Sequence, residues 1–244
     1  MRTDLAHELN KESKSPEGNF VTLFCDELDA DKEIAELSDA LKQMLAPLKA
    51  KSVLVAGLGN MNITPDALGV RTAAKTLATG HFAANPELQE EFRELELRTT
   101  YVISPGVMAQ TGFETAEQLK LIAKGIKPDC IIAVDSLACN SFERLAKTIQ
   151  ITDTGISPGS GVANNRCEIS PKTFGLPVIA IGVPTVIDAL LENHAGNDDA
   201  PLMLVPRNID IVINHFSRVI AGAINRVLNP KLSQSEIDNL LMFS

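Results

Sequence analysis

The sequence has 244 residues, 45% of them hydrophobic and 22% charged, with a formal net charge of −9. That is the profile of a globular chain able to bury a core without disulfides or structural metals. The acidic balance argues against a nucleic-acid grip, which needs clustered Lys and Arg, and no apolar run approaches the ~20 residues that span a bilayer.

The opening, Met1-Arg2-Thr3-Asp4-Leu5, lacks the apolar core of a signal peptide, so the expected address is cytoplasmic. Residues 1–30 read as polar and irregular, apart from the short apolar stretch 20–24. Ile34, Leu37, Leu41, Leu45 and Leu48 then recur at helical spacing, with Pro47 ending or kinking that helix. From Ser52 the pattern changes to short apolar runs that read as strands: Val53-Leu54-Val55-Ala56-Gly57, Tyr101-Val102-Ile103-Ser104, Cys130 to Asp135, and Val178 to Val183. Continuous rather than alternating runs mean strands covered on both faces, hence a mostly parallel sheet. Residues 147–152 alternate and read as an edge or half-exposed strand. Ala116, Leu119, Ile122 and Ala123 mark one intervening helix. Ile209, Ile213, Phe216, Ile220, Ile224 and Val227 mark a long closing one, with Pro206 suited to its first turn. The acidic stretch 87–96 reads as a solvated helix face, and 193–201 as a loop. The expectation is one α/β domain over 1–244: a three-layer sandwich with a core at 52–189 and a helical region at 206–244.

In such sheets ligands collect where loops leave the carboxyl ends of the strands. Two carboxylates fall there. Asp135 ends an apolar run, where a carboxylate has to face a cleft or be hydrogen-bonded. Asp66 follows Thr64 and Pro65, which read as the N-cap and first position of a helix with Asp66 in its first turn. In a shared cleft, two like charges cannot both ionise easily, so one keeps a proton while the other acts as base on a water. The helix start favours the charged form of Asp66, leaving Asp135 as the holder of the proton. Backbone N–H groups at Gly57, Gly59 and Asn60, or at Gly159, Ser160 and Gly161, are candidates to bind substrate or polarise its carbonyl.

Other motifs carry less. Gly57-Leu58-Gly59-Asn60-Met61-Asn62 begins like a dinucleotide fingerprint but has Asn62 where the last glycine belongs. Asp153-Thr154-Gly155 copies the signature of pepsin-like proteases, which are all-β and carry it twice; here it reads as a turn. The loop Ser157-Pro158-Gly159-Ser160-Gly161 lacks the Lys-Ser/Thr of a P-loop. The four histidines and four cysteines show no metal-ligand spacing, and no G-x-S-x-G is present. No cofactor is expected.

Asn62-x-Thr64-Pro65-Asp66-Ala67-Leu68-Gly69 after Gly57-Leu58-Gly59-Asn60 resembles the germination protease family, the spore endopeptidases that degrade small acid-soluble spore proteins. Further stretches match in order: Ser104-Pro105-Gly106-Val107-Met108, Ile132 to Ala138, Thr148 to Ile156, and Pro177 to Ala189. The resemblance implies a phosphorylase/hydrolase-like sheet related to hydrogenase maturation endopeptidases. It also implies an atypical aspartic-type peptidase with Asp66 and Asp135 as the catalytic pair, and a homo-oligomer, possibly a tetramer, in the cytoplasm or spore core. In the related maturation enzymes the corresponding positions bind a metal, so a metal-assisted variant using Asp66 and Asp135 stays open. So do a nucleoside- or phosphate-binding hydrolase and an inactive binding protein on the same fold. Family members are usually longer, with a propeptide before Arg-Thr-Asp-Leu-Ala and an insertion where residues 193–201 stand here.

Overall fold

The computed structural model describes residues 3–5, 18–25, 29–158, 167–188 and 203–242. Eight strands form one mixed sheet: β1 (Thr3–Leu5), β2 (Phe20–Phe24), β3 (Ser52–Gly57), β4 (Thr99–Ile103), β5 (Cys130–Cys139), β6 (Thr148–Thr152), β7 (Val178–Asp188) and β8 (Met203–Leu204). Their order across the sheet is β1-β2-β6-β7-β5-β3-β4, with β8 added to β7. The four continuous apolar runs form the parallel heart, β7-β5-β3-β4, and the strands around it are antiparallel. The helices in chain order are α1 (Ala30–Leu45), α2 (Leu68–Ala73), α3 (Gly80–Ala84), α4 (Gln89–Glu94), α5 (Met108–Thr111), α6 (Thr115–Ile126), α7 (Pro171–Phe174), α8 (Ile209–Leu228) and α9 (Gln234–Met242).

Strand alternation divides the core into two layers. Cys130, Ile132 and Val134 of β5 face one way, joining Leu37 and Leu41 of α1, Leu68 of α2 and Phe216 and Ile220 of α8. Ile131 and Ala133 face the other way, onto Ala116, Leu119 and Ala123 of α6. The result is the expected α/β three-layer sandwich. α1 and α8 also share a buried polar contact, His215 Nε2 to Glu33 Oε2 at 2.6 Å.

Several local expectations change. Residues 20–24 are a full strand, β2, and its pairing makes β6 an interior strand, so the alternation at 147–152 does not mark an edge. Pro206 precedes α8: its carbonyl accepts from the Ile209 N–H at 3.2 Å, and Asn208 is the N-cap. Pro47, by contrast, ends α1 as expected, lying in a 3-10 turn, Ala46–Leu48, directly after it. Most consequential, β5 and β7 run well past Asp135 and Val183, where the apolar runs end in the sequence.

Gly57 and Gly69 let α2 lie against β3 backbone to backbone. A Cβ at Gly69 would stand 2.2 Å from the Val134 carbonyl oxygen and 2.5 Å from Leu58 N, and one at Gly57 would stand 2.1 Å from the Gly69 oxygen. No side chain fits there, because the nearest obstacles are main-chain atoms that have nowhere to retreat. Gly69→Ala is therefore expected to lower unfolding free energy by about 1–3 kcal/mol or more, read as a reduced urea midpoint.

Burial at the start of β5 pushes the Cys130 thiol up to about 12 from its ordinary 9.0. The folded chain thus keeps a proton that the unfolded chain releases. The stability linked to this thiol is complete below about pH 9 and is lost as pH climbs towards 12. Urea midpoints between pH 8 and 11 should fall more steeply for the unchanged protein than for Cys130→Ala.

Candidate active site

At β3 the chain reverses its direction of travel across the sheet: β4, next in sequence, lies on one side of it and β5 on the other. The crevice beyond the carboxyl ends at such a reversal is the usual ligand site of open α/β sheets. Asp66 and Asp135 are both carried to it.

The β3–β5 ladder stops at Gly57 opposite Val134, and the Leu58 N–H adds one more bond, to the Val134 carbonyl at 2.8 Å. β5 continues along β7 to Cys139, so Asp135 is the first β5 residue beyond the shared ladder. It lies within the strand rather than at its end. In an unbroken parallel ladder the Ser136 N–H would go to a β3 carbonyl. Here it donates to Asp135 Oδ1 at 2.9 Å. The Asp135 carboxyl is thereby drawn to the edge that β3 vacates, and the residue is only 5% exposed.

Asp66 is brought back to the same strand end by its own loop. The Asn60 N–H donates to the Asp66 carbonyl at 3.1 Å, and the Asp66 N–H to the Ile63 carbonyl at 2.8 Å. Gly59 makes the loop feasible. Its φ is +102°, and a Cβ there would fall 2.0 Å from the Asp66 carbonyl oxygen. Asp66 Oδ1 lies beside the same glycine, 3.2 Å from that Cβ position. The turn bearing Asp66 packs against β5, β7 and α8. The two carboxylates therefore stand on segments in mutual contact, around residues 58–60.

The local geometry corrects three expectations. Thr64–Asp66 is a one-turn 3-10 helix whose N-cap is Ile63, with no side-chain cap; α2 begins afterwards, at Leu68. A three-residue turn aligns too few peptides to carry the helix-dipole argument for a charged Asp66. The N–H groups of Leu58 and Asn60 are spent on the Val134 and Asp66 carbonyls, so Asn60 has no spare backbone donor to offer. Asp153 of the Asp-Thr-Gly motif sits at the opposite end of the sheet. Its carboxylate accepts from Asn19 N at 2.8 Å and Asn19 Nδ2 at 2.6 Å, and it lines a cavity of about 830 Å³ with Pro177 and Val178. Gly159, Ser160 and Gly161 lie outside the described residues, as does the 193–201 loop.

Two residues here were not picked out from the sequence. Gln110, in α5 beyond β4, donates from Nε2 to Asn60 Oδ1 at 2.7 Å, tying the β4 loop to the Asp66 loop. Its position shortly after the strand-end segment Ser104-Pro105-Gly106 was the available signal. Ser136 is the other. Its Oγ is buried and meets no hydrogen-bond partner among the described residues.

Among the described residues no group of three His, Cys, Asp or Glu side chains is placed to hold a metal ion. The two aspartates alone fall short of the three protein ligands typical of a catalytic zinc. No described helix is long and apolar enough to cross a membrane. Gln110→Ala is expected to cost about 0.5–1.5 kcal/mol of stability and to speed amide exchange at Asn62, whose N–H also donates to Asn60 Oδ1, at 3.0 Å.

Residues 2–200 match a family model described as germination protease. A germination protease from Caldanaerobacter subterraneus subsp. tengcongensis is 38% identical, the alignment covering 93% of this chain and 83% of the relative. One from Clostridium perfringens strain 13 is 32% identical over 97% of this chain and 86% of its own. Among solved structures, a [NiFe] hydrogenase maturation protease, HycI, from Thermococcus kodakarensis KOD1 aligns with a TM-score of 0.41 at 16% identity. That alignment covers 76% of this chain and 98% of the other.

Proposed function

The chain belongs to the germination protease family, a family of peptidases, and from that premise we propose that it is an endopeptidase using Asp66 and Asp135 as an aspartate pair. The proposed substrates are small acid-soluble spore proteins or similar unstructured polypeptides. The observation that carries the reading is the 2.9 Å bond from the Ser136 N–H to Asp135 Oδ1. It holds one carboxyl at the edge left by β3, and the turn bearing Asp66 packs against the same strand.

The chemistry asks for one carboxylate and one carboxylic acid. The carboxylate takes a proton from water as the water oxygen attacks the scissile carbonyl carbon. The carboxylic acid gives its proton to the amide nitrogen as the C–N bond breaks, leaving a new carboxyl terminus and a new amine. Close carboxyls share protons and titrate as a unit, so the pair, rather than either residue, owns the two apparent pKa values. A main-chain strand edge and exposed apolar side chains on the loops that follow β3, β4 and β5 suit a polypeptide better than a nucleotide. Assembly as a homo-oligomer, a tetramer by family resemblance, and residence in the cytoplasm or spore core belong to the same reading.

Incubation with a small acid-soluble spore protein, with and without a chelator, followed by mass analysis of the fragments, tests the activity directly. Discrete internal cleavage that survives the chelator is expected. Asp66→Asn and Asp135→Asn should each lower the rate at least about a hundredfold while leaving the thermal unfolding midpoint within a few degrees. Full activity in either variant removes the pair from the mechanism.

A further inference from the structure

The ending of β3 leaves part of β5 with one neighbour. Beyond Val134, residues 136–139 pair with β7 on one side and with no described strand on the other. The alternation of the strand fixes which groups face the gap. The Ile131 N–H goes to the Pro177 carbonyl on the β7 side, and the Val134 carbonyl takes the Leu58 N–H on the β3 side. Even-numbered residues therefore point towards β3. Past its end, the Ser136 carbonyl and the Ala138 N–H and carbonyl point to an edge with no partner among the described residues. The Ser136 N–H is the one already taken, by Asp135. Ala138 is exposed.

The segments that leave this end of the sheet carry large exposed apolar side chains. Met61 and Ile63 in the loop after β3, Met108 and Phe113 around α5, and Phe142 just after β5 are all large, apolar and exposed. Gln110 bonds the first two of these loops together through Asn60. Exposed apolar side chains on the connecting loops and an unpaired strand edge are the features of a surface that takes up another chain.

Resting on the peptidase reading above, we propose that the substrate polypeptide docks as an added strand on the 136–139 edge of β5, in the line that β3 abandons, with the apolar loop residues holding its side chains. Main-chain pairing supplies affinity with little demand on sequence, and the pockets for alternate side chains supply preference. The docked segment runs directly to Asp135, so the ladder sets which peptide bond lies at the carboxyl pair. An unstructured chain suits this mode because its backbone groups are not already paired within a fold.

The test separates docking from cleavage. Binding of a fluorescently labelled small acid-soluble spore protein is followed by anisotropy in the Asp66→Asn background. Ala138→Pro removes the one main-chain donor that the edge offers, at a position where an edge strand tolerates proline; Ala138→Val keeps it. The proline variant is expected to bind at least tenfold more weakly, and the valine variant within threefold of the parent. Equal binding by the two variants overturns the proposal. A second measurement leaves the protein unaltered: peptides of one substrate sequence, N-methylated at single successive positions, compete for the same site. Strand addition predicts tenfold losses at alternate positions, and uniform tolerance overturns it even where the proline variant fails to fold. Cleavage by the unmutated protein reads the peptidase activity separately, so the two ideas fail independently.

Discussion

The structure around the carboxyl pair depends on one steric constraint, the contact of main chain with main chain where β3 ends. Gly57 and Gly69 bring α2 onto the strand with no side-chain atom between them, and the Val134 carbonyl closes the junction by accepting the Leu58 N–H. Gly59 then turns the chain through a positive φ so that Asn60 can bind the Asp66 carbonyl. Because β3 is forced out of the sheet here, β5 loses a neighbour, and the Ser136 N–H is left to Asp135. The position of one carboxylate and the orientation of the other thus have a single origin. Neither would survive a loop long enough to let β3 continue.

The same constraint explains what the sequence disclosed and what it withheld. The runs that became β3, β4, β5 and β7 are read correctly because each is apolar on both faces, a property of the residues themselves. Phe20-Val21-Thr22-Leu23-Phe24 stands out only as an apolar stretch in a polar region and is a strand by virtue of distant β6, which it also converts from an edge to an interior strand. The extensions of β5 and β7 were invisible for a related reason. Ser136 and Ala138 carry no apolar pattern, and Pro184 would ordinarily argue against a strand, yet the two segments support each other, with a register shift after Leu137. Asp135 was identifiable as a carboxylate in an apolar run. That its oxygen takes the place of a missing β3 carbonyl was not, since this depends on where another strand leaves the sheet.

The glycine pattern also bears on which chemistry the crevice favours. A phosphate site built from a strand, a glycine-rich loop and a helix works because consecutive backbone N–H groups and a helix N-terminus point into the loop. Gly57-Leu58-Gly59 begins in that way, but the donors of Leu58 and Asn60 turn inwards to carbonyls of the chain, and a 3-10 turn stands before α2 where the helix N-terminus would be. The Asn60 donor goes to fixing Asp66, and that of Leu58 to closing the junction with β5. An anion entering this crevice would meet two carboxylates. A neutral main chain entering it would meet strand groups of β5 that have no partner among the described residues, with exposed apolar side chains on the loops that leave these strand ends. On elementary electrostatics and hydrogen bonding, the crevice discriminates in favour of polypeptide, which is the substrate class that membership of a peptidase family requires.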